Sequence, residues 1–258
     1  MEFHQQLAKQ HYARLPFNIS KAELGEAARA FLDFLTLPTD VLRSLHFPSP
    51  YENGTADGYT DKRDSGRHDK KQLFHWSPLL EKQPAYQEVR RRYQVARTFF
   101  EHAAKIYDAG DEVSAKLLRR HFTSNIVEQT VMKGRLASAV LRFLAYDPQA
   151  QDFSARAHYD KCPGTLALAE SSPGLRIGCC DQHPLKKVEY RDGTCVFMPG
   201  QLLFEDTNGT IIPAWHDVVH HADVPPVRED CARWSIVFFI NEKNGRFPSY
   251  EATHTPVH

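Results

Sequence analysis

Apolar positions recur at helical spacing through the first half of the chain and fall into short alternating runs through the second. Ser20 and Glu23 form a capping-box pair, and Leu24, Ala27, Ala28, Phe31, Leu32 and Leu35 follow at intervals of three and four, which predicts a helix. A stretch rich in Gly, Asp and Lys, NGTADGYTDKRDSGRHDKK, interrupts with turn chemistry. Val89, Tyr93, Ala96, Phe100, Ala103 and Ile106 then predict one long amphipathic helix from about Ala85 to Tyr107. One or two further helices are expected in VSAKLLRRHF and SNIVEQTVMKGRLASAVL.

After Leu141 the pattern changes. LRFLAYDP, TLALAE, GLRIGC, TCVFMPG, QLLFED and RWSIVFFIN are short, apolar or alternating, and separated by Pro, Gly, Asn and Asp. Strands at that spacing predict a sandwich or barrel. With no repeat, low-complexity segment or long linker, the expectation is one domain over residues 1–258. Its helical part covers about 1–140 and its β core about 141–241.

The 258 residues carry 32 basic and 32 acidic side chains, a balance that gives no support to nucleic acid as a partner. The basic cluster EVRRRYQVAR reads as a solvated helix face. No run approaches the length of a membrane span, and the first residues hold no apolar core of signal-peptide length. Five cysteines (Cys162, Cys179, Cys180, Cys195 and Cys231) are odd in number and form no C-x-x-C pair, as expected of free thiols in a reducing compartment. A cytoplasmic protein is the expectation, and the triplets beginning at Asn18, Asn53 and Asn208 then carry no weight as glycosylation sites.

Candidate chemistry begins at His158-Tyr159-Asp160. Alternate residues of an extended strand point the same way, so an imidazole and a carboxylate can meet at one point. A second imidazole from a distant strand completes a two-His, one-carboxylate face with open positions for O2 chemistry on iron(II). His216 lies 58 residues further on, beyond the turn TNG and in another predicted strand. The second His-x-Asp, at His221 and Asp223, precedes VPPV and reads as incidental.

A rival pattern is His216-Asp217-Val218-Val219-His220, which has the i, i+4 spacing of a helical zinc site. Pro213, two β-branched valines and Pro225-Pro226 disfavour the helix that it needs. On RWSIVFFIN, Arg233, Ser235, Val237 and Phe239 share one face, and an Arg and a Ser two apart can grip a carboxylate together. The triplet alone is weak, since Arg63-Asp64-Ser65 has the same spacing in a charged loop. Order and setting give it weight: H-x-D, a turn, His, then R-x-S on the last apolar strand.

These residues resemble the iron(II)- and 2-oxoglutarate-dependent oxygenases of the isopenicillin N synthase-like superfamily. The matching positions are His158 and Asp160, Thr165, Pro173-Gly174-Leu175, Thr207-Asn208-Gly209, His216, and Arg233 with Ser235. The resemblance runs from Leu141 to Ile240 and is thinner upstream, over GYTDKRDSGRHDKKQLFHW. The chain departs from the family pattern at Gln201, where members often have Asp, and at Asp217, where they often have Arg.

The resemblance implies a mainly β fold with helices, a double-stranded β-helix (jelly-roll) core flanked by an N-terminal helical layer. It implies Fe(II) on His158, Asp160 and His216, and 2-oxoglutarate held through its distal carboxylate by Arg233 and Ser235, with Tyr146 near the co-substrate. Oxidative decarboxylation to succinate and CO2 would then drive oxidation, most simply hydroxylation, of a small molecule by O2. Alternatives are an oxidase of the same superfamily that does not consume 2-oxoglutarate, and a metal-binding jelly roll without turnover. For the substrate, Arg142 shares the strand face of Tyr146, so a carboxylate-bearing molecule is expected. Phe239 and Asn241 are expected to form the opposite wall, and Tyr159 and Phe74 to close over it. Oligomeric state is left open.

Overall fold

The structure is a computed structural model that describes residues 2–48, 57–63, 70–148, 153–220, 223–245 and 248. His221 of the second His-x-Asp, Asp64 and Ser65 of the second R-x-S, and Asn53 lie outside the described residues. In chain order the elements begin with α1 (Phe3–Gln10), β1 (Ala13–Pro16), α2 (Lys21–Phe34), α3 (Thr39–Arg43), β2 (His46–Phe47), β3 (Asp57–Asp61) and β4 (Lys71–Trp76). A 3-10 turn at Pro78–Lys82 leads to α4 (Pro84–Arg92), α5 (Gln94–His121), α6 (Ser124–Thr130), β5 (Val131–Met132) and β6 (Arg135–Leu136). The C-terminal half supplies β7 (Ser138–Tyr146), β8 (Phe153–His158), β9 (Gly164–Glu170), β10 (Leu175–Gly178), β11 (Lys186–Lys187) and β12 (Thr194–Pro199). Then come α7 (Gln201–Asp206), β13 (Trp215–Val219) and β14 (Arg233–Asn241).

Two antiparallel sheets form the core. The larger has the order β1-β12-β9-β14-β7-β4-β3-β2, and the smaller β11-β10-β13-β8. Alternation along each strand of the large sheet divides its side chains between two environments. One face meets α2 and α5 through Phe31, Phe34, Phe99, Phe100, Phe143 and Phe238. The opposite face turns toward the small sheet, and Ala167, Val196 and Met198 pack there against Leu175, Ile177 and Ala214. This is a double-stranded β-helix with helices packed on the outer face of the large sheet.

The capping box at Ser20 forms as expected: its hydroxyl accepts from the Glu23 N–H, and the Glu23 carboxylate accepts from the Ser20 N–H. Such a cap contributes about 1 kcal/mol and fixes where α2 starts. Leu24, Ala27, Ala28, Phe31 and Leu32 are then buried, while Leu35 becomes the C-cap.

Four expectations need correction. The helix expected at Ala85–Tyr107 is two helices, broken at Tyr93, whose backbone is extended. Both pieces keep helical spacing, so periodicity cannot register a one-residue break; Tyr86 on α4 stacks on Phe100 of α5 at 4.1 Å between ring centroids. The second piece runs through VSAKLLRRHF to His121. In SNIVEQTVMKGRLASAVL only Ser124–Thr130 is helical, because Lys133 and Gly134 both take positive φ and turn β5 into β6 as a hairpin.

QLLFED is α7, not a strand, an ambiguity inherent in short apolar runs. The first 140 residues also contribute β1 and β2–β4 to the large sheet, so the N-terminal part is not solely a helical layer. The residues of β3 and β4 pair directly, from Gly58 opposite His75 to Asp61 opposite Gln72.

Candidate metal centre

The small sheet brings two histidines together by register. His158 ends β8, His216 lies on β13, and the two are direct antiparallel partners. Their ring centroids are 4.4 Å apart. Asp160 lies just beyond β8, in the crossing to the large sheet, so the His-x-Asp pair straddles a strand end where a continuous strand was expected. Its Oδ1 is 3.5 Å from His158 Nε2 and its Oδ2 is 3.8 Å from His216 Nε2. All three ligand atoms lie within 4.8 Å of one another.

The surroundings aim these atoms. His158 Nδ1 lies 2.7 Å from the Arg156 carbonyl, and His216 Nδ1 lies 2.9 Å from the Ala214 carbonyl. Each Nδ1–H is thereby engaged with backbone, which fixes the tautomer and leaves Nε2 as the free lone pair. Thr165, at the start of β9, donates its hydroxyl to Asp160 Oδ2 at 2.6 Å. Burial opposes the Asp160 charge, but His216, His158 and Thr165 outweigh it and hold the carboxyl well below the usual carboxylate range. Burial pushes the pKa of His216 down, whereas at His158 the Asp160 carboxylate overcomes burial and raises it. The His158 side chain is 47% exposed and that of His216 only 6%, so the centre opens toward solvent on the His158 side.

Two backbone contacts seat the carboxylate. The Asp160 carbonyl accepts from Gln201 N–H at 2.9 Å, and a Cβ on Gly200 would fall 1.9 Å from the Cys162 carbonyl oxygen. The bond uses the backbone of residue 201, so a Gln side chain in place of Asp leaves it intact. Asp217, the other departure from the family pattern, faces Arg176 across the β10–β13 pair and takes a two-point ion pair from it. Residues 215–219 are extended, which removes the helix that a zinc site at His216 and His220 needs.

Arg233, Ser235 and Tyr146 come together inside the barrel. Arg233 is fully buried, and its guanidinium carbon is 5.3 Å from the centre of the Tyr146 ring. The Tyr146 and Ser235 hydroxyls are 3.5 Å apart. Arg233 Nη2 donates to Glu170 and to the Ser172 carbonyl, while Nε and Nη1 are buried with no hydrogen-bond partner among the described residues. Gly174 lies against this group, since a Cβ there would fall 3.0 Å from Arg233 Nη2 and 2.6 Å from the Val219 carbonyl. Two orphaned donors on a buried cation, beside two hydroxyls, fit a carboxylate.

Arg142 shares the interior face of β7 with Leu144 and Tyr146. Its guanidinium lies 4.3 Å from the centre of the Phe239 ring, and its Nε meets His75. Burial lowers its pKa, while the Asp160 carboxylate opposes that shift, which puts Arg142 on the side of the histidine pair. Phe239 stands opposite Thr165 in the sheet, and Asn241 follows two residues on along its face.

The two residues expected to close over the wall, Tyr159 and Phe74, are placed elsewhere. Phe74 faces the helices, fully buried against Phe34, Phe99 and Phe100, because its neighbours Leu73 and His75 take the interior positions. Tyr159 is buried against Trp215, and its hydroxyl donates to the Cys179 carbonyl, so it packs behind the metal ligands. Sequence reasoning missed Glu170, His75 and Lys71. Lys71 is buried with its ammonium 5.8 Å from the Tyr146 ring. Glu170 ends the apolar strand TLALAE but gains its role only through the pairing of β9 with β14, and Lys71 and His75 reach the interior only through the pairing of β4 with β7.

No family model matches the chain, and no curated protein matches it. Solved structures do. A full-length Neurospora crassa protein in complex with alpha-ketoglutarate (2-oxoglutarate) and 5-formyluracil superposes with a TM-score of 0.68 at 20% identity, over 93% of this chain and 77% of that one. The dioxygenase for auxin oxidation 1 of Arabidopsis thaliana, as its 2-oxoglutarate complex, gives 0.66 at 14% identity, over 98% and 93%. A dioxygenase for auxin oxidation in rice gives 0.60 at 15%, over 92% and 76%. The chain has the fold of the Fe(II)/2-oxoglutarate-dependent oxygenases, with a His-Asp-His cluster of the kind that holds a metal. No described helix is long and apolar enough to cross a membrane.

Proposed function

We propose that this protein is a Fe(II)- and 2-oxoglutarate-dependent dioxygenase that hydroxylates a small, carboxylate-bearing molecule. The observation that carries the reading is the pair of unpartnered N–H donors on buried Arg233, inside the same barrel as the His158–Asp160–His216 cluster. His158, Asp160 and His216 would hold the iron, a donor set of two imidazoles and one carboxylate that leaves positions open. Arg233, Ser235 and Tyr146 would hold the distal carboxylate of 2-oxoglutarate. Bound iron with 2-oxoglutarate supplies O2 activation coupled to release of succinate and CO2.

The chain's own residues do the rest. Backbone carbonyls of Arg156 and Ala214 hold the proton of each neutral ring on Nδ1, which leaves both Nε2 lone pairs to serve as ligands. Thr165 orients Asp160. Arg142, braced by His75 and the Phe239 ring, presents a cation at the cavity, where an anionic substrate gains most from charge pairing.

The test is 2-oxoglutarate turnover by purified iron(II) protein, read as succinate, across small acids, amino acids, phenolics, pyrimidine bases and auxin. Succinate formation stimulated by an acid supports the reading. Substrate oxidation without succinate would replace it with an oxidase that consumes no 2-oxoglutarate.

A further inference from the structure

Behind the iron ligands lies a second cluster of metal-binding side chains. Cys179 and Cys180 follow β10, and their sulfurs are 3.4 Å apart. His183 Nδ1 lies 3.1 Å from Cys180 Sγ, with a backbone bond from His183 N–H to the Cys180 carbonyl closing the turn between them. The ligand atoms of all three residues lie within 4.8 Å of one another. In a tetrahedral site with metal–sulfur bonds near 2.3 Å and metal–nitrogen bonds near 2.0 Å, neighbouring donors stand about 3.5 to 3.8 Å apart. The three donors need to spread only slightly to accept an ion.

His11 caps α1 with a left-handed backbone, and its Nδ1 is buried with no hydrogen-bond partner among the described residues. It is not one of the three clustered residues, so the fourth position on an ion would fall to another ligand such as water.

The geometry points to a second metal site, formed by Cys179, Cys180 and His183, that takes a thiophilic ion of the Zn(II) type. Two thiolates and one imidazole select such an ion over Mg(II) or Ca(II), whose sites favour oxygen. The site also touches the iron face from behind. The Cys179 carbonyl accepts from the hydroxyl of Tyr159, which stands between His158 and Asp160, and Gly178 pairs with Trp215, which precedes His216. An ion here clamps the turn against which both segments carrying the iron ligands are packed.

Co(II) is the probe, because a thiolate ligand gives cobalt a sulfur-to-metal band in the near ultraviolet that a His-Asp-His site lacks. Reduced, metal-free, full-length protein is titrated anaerobically, as wild type and as Asp160→Ala. Both are expected to show the band, and Asp160→Ala to saturate it at one equivalent. Cys179→Ser and Cys180→Ser, singly or together, are expected to abolish or strongly weaken it. Loss of His183 in His183→Ala should lower affinity by more than roughly 100-fold, beyond the loss of an outer-shell partner. Cys162→Ser, near Asp160, should leave the band unchanged. No band in reduced wild type, a band that survives both serine substitutions, or one that only Cys162→Ser removes would overturn the proposal. The readout is thiolate ligation, so it stands or falls separately from 2-oxoglutarate turnover.

Discussion

Arg233 and Glu170 form a buried ion pair, Nη2 to Oε2 at 2.6 Å, that uses only one edge of the guanidinium. Burial pushes the Glu170 carboxyl up, and Arg233 and the Gly174 N–H pull it back. The pair sets the direction of the remaining donors. Nε and Nη1 are left to meet something else inside the barrel, and a second carboxylate can take a charge-assisted bond from one of them.

Arg233→Ala is expected to raise the KM for 2-oxoglutarate by the equivalent of about 2 to 5 kcal/mol, the range for truncating one partner of a buried charge pair. Iron affinity should change little, since Arg233 is not among the three clustered metal ligands. Arg233→Lys should recover only part of the loss, because a shorter-reaching point charge cannot replace the fixed planar donors of a guanidinium that also holds Glu170. Steady-state kinetics beside an iron titration separate the two effects. An unchanged KM would move the carboxylate clamp to other residues.

Thr165→Val keeps the shape of the side chain and removes its hydrogen bond to Asp160 Oδ2. Iron affinity is expected to fall roughly 10- to 100-fold, the usual cost of losing an outer-shell partner. Competition with a coloured chelator measures it, and equal affinity in the two proteins would show that Thr165 does not orient Asp160.

Iron binding should weaken as pH falls through the raised pKa of His158. In the metal-free protein Asp160 raises the His158 pKa above 6.5, so below that raised pKa a proton occupies the ring and competes with the metal. Asp160 itself stays ionised there, because its pKa is depressed. One displaced proton gives a limiting slope of about tenfold per pH unit. Asp160→Asn removes the charge that raises His158, so any fall in the variant's remaining affinity should begin at lower pH.

Arg142→Ala tests the substrate end. With a panel matched in size and differing in charge, the wild type should prefer acids, and the variant should show a higher KM for its best acid with iron binding retained. A wild-type preference for neutral or cationic compounds would remove Arg142 from substrate recognition.

Much of this site was legible because its signals are local. His158 and Asp160 sit two apart, Arg233 and Ser235 share a strand face by simple alternation, and the Ser20 cap is a four-residue pattern. Phe74 and Tyr159 were misplaced for a related reason: alternation says which residues share a face but not which face looks inward. On β4 the inward face carries Lys71, Leu73 and His75, a composition that gives no warning of burial beside the cavity. The break at Tyr93 and the helix at Gln201–Asp206 were hidden because spacing alone suits both outcomes. Glu170 acquires meaning only once β9 is paired with β14, a long-range contact that spacing does not encode.

The most direct test of a Fe(II)/2-oxoglutarate centre is an anaerobic titration of metal-free protein with iron(II) and 2-oxoglutarate. When the keto acid chelates iron held by His158, Asp160 and His216, a weak visible charge-transfer band is expected, saturating at one iron per chain. Asp160→Ala should lose both the band and most of the iron, because the only anionic ligand is gone. Iron bound without the band in wild type, or a band that persists at full strength in Asp160→Ala, would contradict the account.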